Sequence, residues 1–382
     1  MQKAGNTKRI LCLAVALVMI LSFFVAPSLV PSAQKRTPLD VYVGVDAAFA
    51  SVNDTKQLVD EVKSYTNLFV VGSTAITWNE SNLNDVCQHL NQSELPFMTF
   101  SHPRGDQFFS GAQWLSEARE KWSSTYRGMY VYDEAGGHQL EHDTFFMCAP
   151  EADNYSDAAS RYVQNLTYYL SLVKSGWNVG SFPIVSSDYA LYEYDYRAGY
   201  SAVFAEFYPG GNRELSVALC RGAATIHGSD WGVMITGNLN DTSPESGIKM
   251  YDDLVYAYQN GAKYLLVFDY PSLQGGILRQ EHFDAIKQFW LYAQSHPQPQ
   301  TPASSRVAYV LPDDYGFGFR EPTDKIWGLW PADNQSGEIW SQIADLMGHY
   351  GGSLDVVYAD SPQATSAGYS RLILWNDTQT AP

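Results

Sequence analysis

Eight short apolar runs punctuate residues 41–271: VYVGVD, LFVVGS, FMTFSH, MYVYDE, VGSFPIVSSD, AVFAE, WGVMIT and LLVFD. Each is strand-length, and between consecutive runs lies enough chain for one helix. Apolar positions at helical spacing predict helices over Thr55–Tyr65, Trp114–Trp122, Ser156–Lys174, Asn212–Ile226, Ser246–Asn260 and Glu281–Ala293. The fifth connection, Tyr189–Gly199, is short and tyrosine-rich and shows the weakest helical pattern. Strand and helix alternating eight times is the signature of a (β/α)8 barrel, an α/β fold, whose strands open at their carboxyl ends onto one pocket.

Breaks in the pattern divide the chain. The stretch Ala135–Tyr155, after the fourth run, reads as a long loop without periodicity, opening on Ala-Gly-Gly and suited to a wall or lid of the pocket. A Pro-rich linker over residues 295–305 closes the barrel, which spans residues 38–294. Residues 306–382 form a smaller α/β module. Its strands are Arg306–Leu311, Leu354–Tyr358 and Arg371–Trp375, and its helix is Ser336–His349. Strand, helix, strand, strand is half of a doubly wound sheet. A sheet this short is either a remnant or is completed by a second copy of the chain.

The chemistry follows from where the runs stop. Five end on or beside an acid: Asp46, the pair Asp133 and Glu134, Asp188, Glu206 and Asp269. Cleaving a glycosidic bond needs one carboxyl group to protonate the leaving oxygen and a second to attack the sugar or activate water. Glu134 and Glu206 end the fourth and sixth runs, two strands apart, and each precedes a Gly-containing turn. They are the expected catalytic pair. Asp133 is beside Glu134, and neighbouring strand residues face opposite ways. One of those two therefore faces the pocket, and the pattern does not say which. Asp46, Asp188 and Asp269 compete with a plainer reading as helix caps or salt-bridge partners. Trp78, His102, Tyr208 and Tyr270 follow the second, third, sixth and eighth runs and are expected, with those three acids, to line substrate subsites.

Composition narrows the partners. A net charge of −17 excludes a nucleic-acid footprint. Aromatics make up 14% of the chain, with 26 Tyr and 10 Trp, suited to sugar faces although most such rings belong to cores. His138 and His142 bracket Glu141 at i, i+4 spacing, which raises a metal-assisted hydrolase. Without helical periodicity they read instead as loop histidines, and neither metal nor cofactor is expected. No Gly-x-Ser-x-Gly elbow, P-loop or dinucleotide fingerprint is present. Cys87, Cys148 and Cys220 leave room for one disulfide and no framework.

The N-terminus carries Lys3, Lys8 and Arg9, an apolar run over residues 10–26, and small residues up to Ala33. Residues 1–33 thus have the layout of an export signal, or of a retained membrane anchor, since 17 apolar residues is the lower limit for a span. Asn-x-Ser/Thr sequons at Asn53, Asn79, Asn91, Asn154, Asn165, Asn240, Asn334 and Asn376 exceed the two or three expected by chance, and glycans are added only on exported surface. The expected location is outside the cytoplasmic membrane, secreted or anchored to its outer face.

The layout resembles the (β/α)8 glycoside hydrolases. Acids on the fourth and sixth strands are similar to the α-galactosidase clan and the α-fucosidase barrels. That resemblance implies a nucleophile at Asp133 or Glu134 and an acid/base at Glu206. A barrel followed by a small flavodoxin-like module, around Arg306-Val-Ala-Tyr-Val-Leu-Pro and Arg371-Leu-Ile-Leu-Trp, resembles the family 42 β-galactosidases. The chain departs from that family's clan in ending its fourth strand Asp-Glu rather than Asn-Glu, and its seventh with Ile-Thr-Gly-Asn and no acid. The expectation is an exported enzyme that hydrolyses O-glycosidic bonds in oligo- or polysaccharide. The competing reading is a non-catalytic carbohydrate-binding or envelope protein on the same scaffold.

Overall fold

A computed structural model describes residues 39–101, 110–143, 147–238, 242–271, 276–359 and 367–377. Eight parallel strands close into a barrel in chain order: β1 (Tyr42–Ala47), β2 (Leu68–Val71), β3 (Phe97–Ser101), β4 (Tyr126–Val131), β5 (Ile184–Asp188), β6 (Ala202–Phe207), β7 (Asp230–Ile235) and β8 (Tyr264–Asp269). Pairing of β1 with β8 over Tyr42–Ala47 and Tyr264–Asp269 completes the ring. Strands covered on both faces need apolar side chains at every position, which is why the runs are continuous rather than alternating.

Helices fill the connections: α1 (Val52–Val62), α2 (Thr74–Thr77), α3 (Glu80–Gln92), α4 (Gly111–Lys121), α5 (Ala135–Glu141), α6 (Tyr155–Gly176), α7 (Tyr192–Ala198), α8 (Arg213–His227), α9 (Gly247–Gln259) and α10 (Gln280–Ser295). Their starts are set by side-chain caps. Ser51 and Asp54 form a reciprocal capping box on α1, and Asn79, Ser110, Asn154, Asn212 and Ser246 each accept from the backbone three residues on. Such a cap contributes about 1 kcal/mol.

One connection differs from expectation. The stretch after β4 is not a loop throughout, because Ala135–Glu141 is helical. This helix has no apolar stripe to reveal it. Ala135, Gly136, Gly137, Gln139 and Leu140 are all buried, and its first amides are held by a side chain from β5. The tyrosine-rich fifth connection does form a seven-residue helix, buried on nearly all sides.

The barrel interior is a layer of Leu68, Val70, Met98, Tyr130, Val185, Ala202, Phe204, Met234, Tyr264 and Leu266. After the barrel come β9 (Val307–Leu311), α11 (Asn334–Tyr350), β10 (Leu354–Tyr358) and β11 (Arg371–Leu374), the strands forming a parallel sheet in the order β10-β9-β11. One face of this second sheet packs on α8, with Ala308, Val310 and Val357 against Ile226. A buried ionic knot reinforces the contact. Arg221 of α8 donates to Asp355 at 2.7 Å and to the carbonyls of Gly352 and Leu354, while Arg306 donates to the other Asp355 oxygen at 2.6 Å.

The connection between β9 and α11 reaches back over the barrel. Gln139 of α5 donates to the carbonyl of Trp327 at 2.8 Å, and the Trp327 ring meets Tyr194 of α7 edge-on at 4.5 Å. Residues 40–382 accordingly form one compact unit. Among the described residues no helix is long and apolar enough to cross a membrane.

Candidate active site

Strand parity decides which terminal acids face the pocket. Side chains alternate along a strand, so positions in step with the interior layer point inward. In β6, Ala202 and Phe204 are interior, which aims Glu206 into the top of the barrel. In β1, Tyr42 packs on the interior layer, which aims Asp46 the same way. Gly72 is in step with Leu68 and Val70, and a Cβ there would lie 2.2 Å from Asp46 Oδ1, so glycine makes room for that carboxyl. Val185 sets the phase of β5, which sends Ser187 inward and Asp188 outward.

The end of β4 breaks the alternation. Tyr132 and Glu134 both adopt left-handed backbone, with φ near 51°. Two such residues, neither glycine, cost on the order of 1–3 kcal/mol each and persist only where surroundings over-determine them. Here β5 does so. Ser186 Oγ donates to the Tyr132 carbonyl, the Glu134 amide donates to the Ser187 carbonyl at 3.0 Å, and Asp188 accepts from the amides of Gly136 and Gly137 at 2.5 and 3.0 Å. A Cβ on Gly136 would fall 2.5 Å from the Ala190 carbonyl oxygen. Because of this corner both Asp133 and Glu134 reach the cavity, where a straight strand would have presented one of them.

The result is a cavity of about 250 Å³ at the carboxyl end of the barrel, with Asp133, Glu134, Ser187 and Glu206 on one side and Phe49, Phe268 and Tyr270 on another. Ser187 Oγ is the hub, 2.5 Å from Glu206 Oε1, 3.0 Å from Asp133 Oδ1 and 2.7 Å from the Tyr130 hydroxyl. Tyr130 also donates to Asp133 Oδ1. Glu134 lies beside Glu206 on the same cavity and raises it electrostatically. Among the described residues no Lys or Arg forms an ion pair with Asp46, Asp133, Glu134 or Glu206.

Four carboxyl groups crowded together out of water cannot all stay ionised. Burial pushes Glu134 up to about 8, and the neighbouring Asp133 adds to the effect. Glu206 is held well above the usual carboxyl range by burial, then by Glu134 and Asp133. Burial and then Asp133 also raise Asp46, whose Oδ1 has no hydrogen-bond partner among the described residues. Asp133 is raised by burial against the opposing hydrogen bonds from Tyr130 and Ser187. Near neutral pH the site therefore favours protonated acids, and Glu134 becomes the carboxylate as pH approaches 8, which supplies both a general acid and a nucleophile.

The other expected residues are spread more widely. Tyr270 lines the cavity, its ring tilted against Phe49 with centroids 4.3 Å apart. Asp188 and Asp269 are buried off the wall and organise backbone. Asp188 also takes the amides of Tyr189 and Ala190, and Asp269 those of Tyr270, Ile277 and Leu278. Trp78 ends α2 and Tyr208 packs edge-on against Tyr189 at 6.3 Å, both off the cavity wall. His102 lies outside the described residues. His138 sits in α5 with Nδ1 2.9 Å from Asp143 Oδ2, and His142 is the left-handed residue closing that helix. Among the described residues no three His, Cys, Asp or Glu side chains are arranged to hold a metal ion.

Sequence reasoning passed over Tyr130, Ser187 and Phe49. For the first two a signal existed: each is in step with interior apolar positions of its own strand. Phe49 had none, since its 56% exposure follows from a left-handed backbone at φ 47° just beyond β1.

The arrangement defines a class, an eight-stranded parallel barrel with carboxyls clustered at the carboxyl end of its strands, and no more specific family. No family model matches the chain, and no curated protein matches it. Solved structures similar to it include glycosidases. One is the family 1 β-glucosidase from Thermotoga maritima, at 9% identity over 69% of this chain and 99% of that one, TM-score 0.43. Another is an O-GlcNAc hydrolase from Thermobaculum terrenum, at 11% identity over 66% and 59%, TM-score 0.38. A 3-keto-D-glucoside 4-epimerase from E. coli is as similar, at 10% identity over 67% and 100%, TM-score 0.40. Likeness at this level runs across different reactions and carries no argument about the chemistry of this chain.

Proposed function

We propose that the protein is a glycoside hydrolase in which Glu206 is the acid/base and Glu134 the nucleophile. The observation that carries this reading is that Glu134 and Glu206 line one cavity at the carboxyl end of the barrel, close enough for Glu134 to raise Glu206. Glu206 protonates the glycosidic oxygen as the bond to the anomeric carbon breaks, and Glu134, raised to about 8 and so ionised in a minority of molecules at pH 7, attacks that carbon as the carboxylate. Glu206 then takes a proton from water, whose oxygen displaces Glu134 from the sugar. Phe49 and Tyr270 offer an aromatic face for the sugar ring.

The proposed location is outside the cytoplasmic membrane. The tripartite N-terminus supports this, as do the sequons: Asn53, Asn79, Asn154, Asn165, Asn334 and Asn376 are exposed. A panel of nitrophenyl glycosides and polysaccharides tests the activity. On any substrate turned over, Glu206→Gln and Glu134→Gln each lower kcat at least 10²- to 10⁴-fold, the range of acid–base and nucleophilic contributions, without lowering Tm. Wild-type rates in both variants would refute the assignment, and binding without bond cleavage in the wild type would favour a carbohydrate-binding protein.

A further inference from the structure

Ser187 has one hydroxyl proton and three hydrogen-bonding neighbours, Glu206 Oε1, Asp133 Oδ1 and the Tyr130 hydroxyl, at 2.5, 3.0 and 2.7 Å. A hydroxyl donates once and accepts up to twice. If Ser187 donates to Asp133, then Glu206 must donate to Ser187. If Ser187 donates to Glu206, then Asp133 must donate to Ser187. If it donates to Tyr130, both carboxyls must be protonated. Every assignment that fills these contacts puts a proton on Asp133 or Glu206, and the first two differ only in which of them has it.

We infer that Ser187 relays a proton between Asp133 and Glu206, so that the acid/base is a three-residue unit rather than Glu206 alone. The inference rests on the reading of Glu206 given above. In the transfer the Glu206 O–H bond breaks as that proton bonds to Ser187 Oγ, and the Ser187 O–H bond breaks as its proton bonds to Asp133. One proton moves from Glu206 to Asp133, one negative charge moves the other way, and the hydroxyl is restored. The reverse transfer returns the proton from Asp133 to Glu206 before it is given to a leaving group.

The surroundings hold the relay in place and bias it weakly. Ser187 is 1% exposed and fixed in a barrel strand, and Tyr130 contacts both Ser187 and Asp133. Glu134 and Asp46 add negative charge, Asp46 next to Asp133 and Glu134 next to both ends of the relay, while His138 of α5 acts on Asp133 with the opposite sign. Asp188, one residue on, points outward to the α5 amides and acts on Glu134 rather than on the relay.

The test is Ser187→Ala, with Ser187→Thr restoring the hydroxyl. Without activity, infrared-detected pH titration of the carboxyl bands reads the coupling directly. Sites that share a proton titrate in separated steps, and Ser187→Ala brings those steps together by about one pH unit while Ser187→Thr leaves them apart. On a nitrophenyl glycoside that is turned over, Ser187→Ala lowers kcat about tenfold, part of the usual acid–base contribution. It also moves the alkaline limb of the pH–rate profile and changes KM by less than about twofold. A purely structural role would not move that limb.

Titration and pH–rate profiles unchanged in Ser187→Ala would overturn the relay. If the titration responds while no glycoside in the panel is cleaved, the relay stands and the glycosidase reading falls.

Discussion

Two buried clusters in this molecule use carboxyl groups in opposite ways. Behind α8, Asp355 is fully buried between Arg221 and Arg306, with the Tyr369 hydroxyl 2.8 Å from one of its oxygens. At the barrel mouth, Asp46, Asp133, Glu134 and Glu206 are buried or nearly so beside one another, with hydroxyls for company and, among the described residues, no Lys or Arg paired to them. The first arrangement fixes one charge state and ties two parts of the fold together. The second leaves protonation undecided near neutral pH, which is costly for stability and useful for proton transfer. Burial alone therefore does not distinguish architecture from chemistry, whereas the sign of the neighbours does.

Breaking the knot should have the largest effect on stability. Asp355→Ala leaves two buried guanidinium groups without a counter-charge, and removing one partner of a buried ion pair costs about 3–5 kcal/mol. Denaturant unfolding should show that loss while activity per folded molecule stays at the wild-type value.

A smaller effect sharpens the contrast from the other side. Glu134 rises from 4.5 to about 8 on folding. A carboxyl raised in this way favours the folded state only while protonated. Its contribution is complete below about 4.5 and is lost as pH climbs through 8. Thermal melts from pH 5 to 9 should show stability falling with pH by on the order of 2 kcal/mol, at 1.36 kcal/mol per pKa unit discounted for coupling. Glu134→Gln should flatten that slope, and Asp355→Ala should not.

The smallest effect concerns the apolar side of the cavity. Phe49→Ala removes the ring packed against Tyr270 and should raise KM three- to tenfold with kcat little changed, in line with about 0.5–1.5 kcal/mol for an aromatic contact. An unchanged KM would remove Phe49 from the binding surface.

Most of the barrel was legible because strands covered on both sides must be apolar throughout, and each run falls on an observed strand. Helices with one wet face were legible for the same kind of reason. α5 and α7 were hard to read because they are buried on nearly all sides, so no stripe betrays them. The inward phase of Glu206 and Asp46 could have been taken from parity with Phe204 and Gly44. The presentation of both Asp133 and Glu134 could not, because it depends on left-handed turns at Tyr132 and Glu134 that a separate strand enforces. Asp188 and Asp269 follow the plainer expectation for acids at strand ends, since both hold the amides of the turns beyond them.

The link from Gln139 to the Trp327 carbonyl has an engineering consequence. Gln139 belongs to the short helix that begins at Glu134, so the tail end of the polypeptide grips the segment presenting a reactive carboxyl. A chimera that grafts a different carboxy-terminal half onto this barrel would have to reproduce that grip, or lose control of Glu134 while every strand stayed in place.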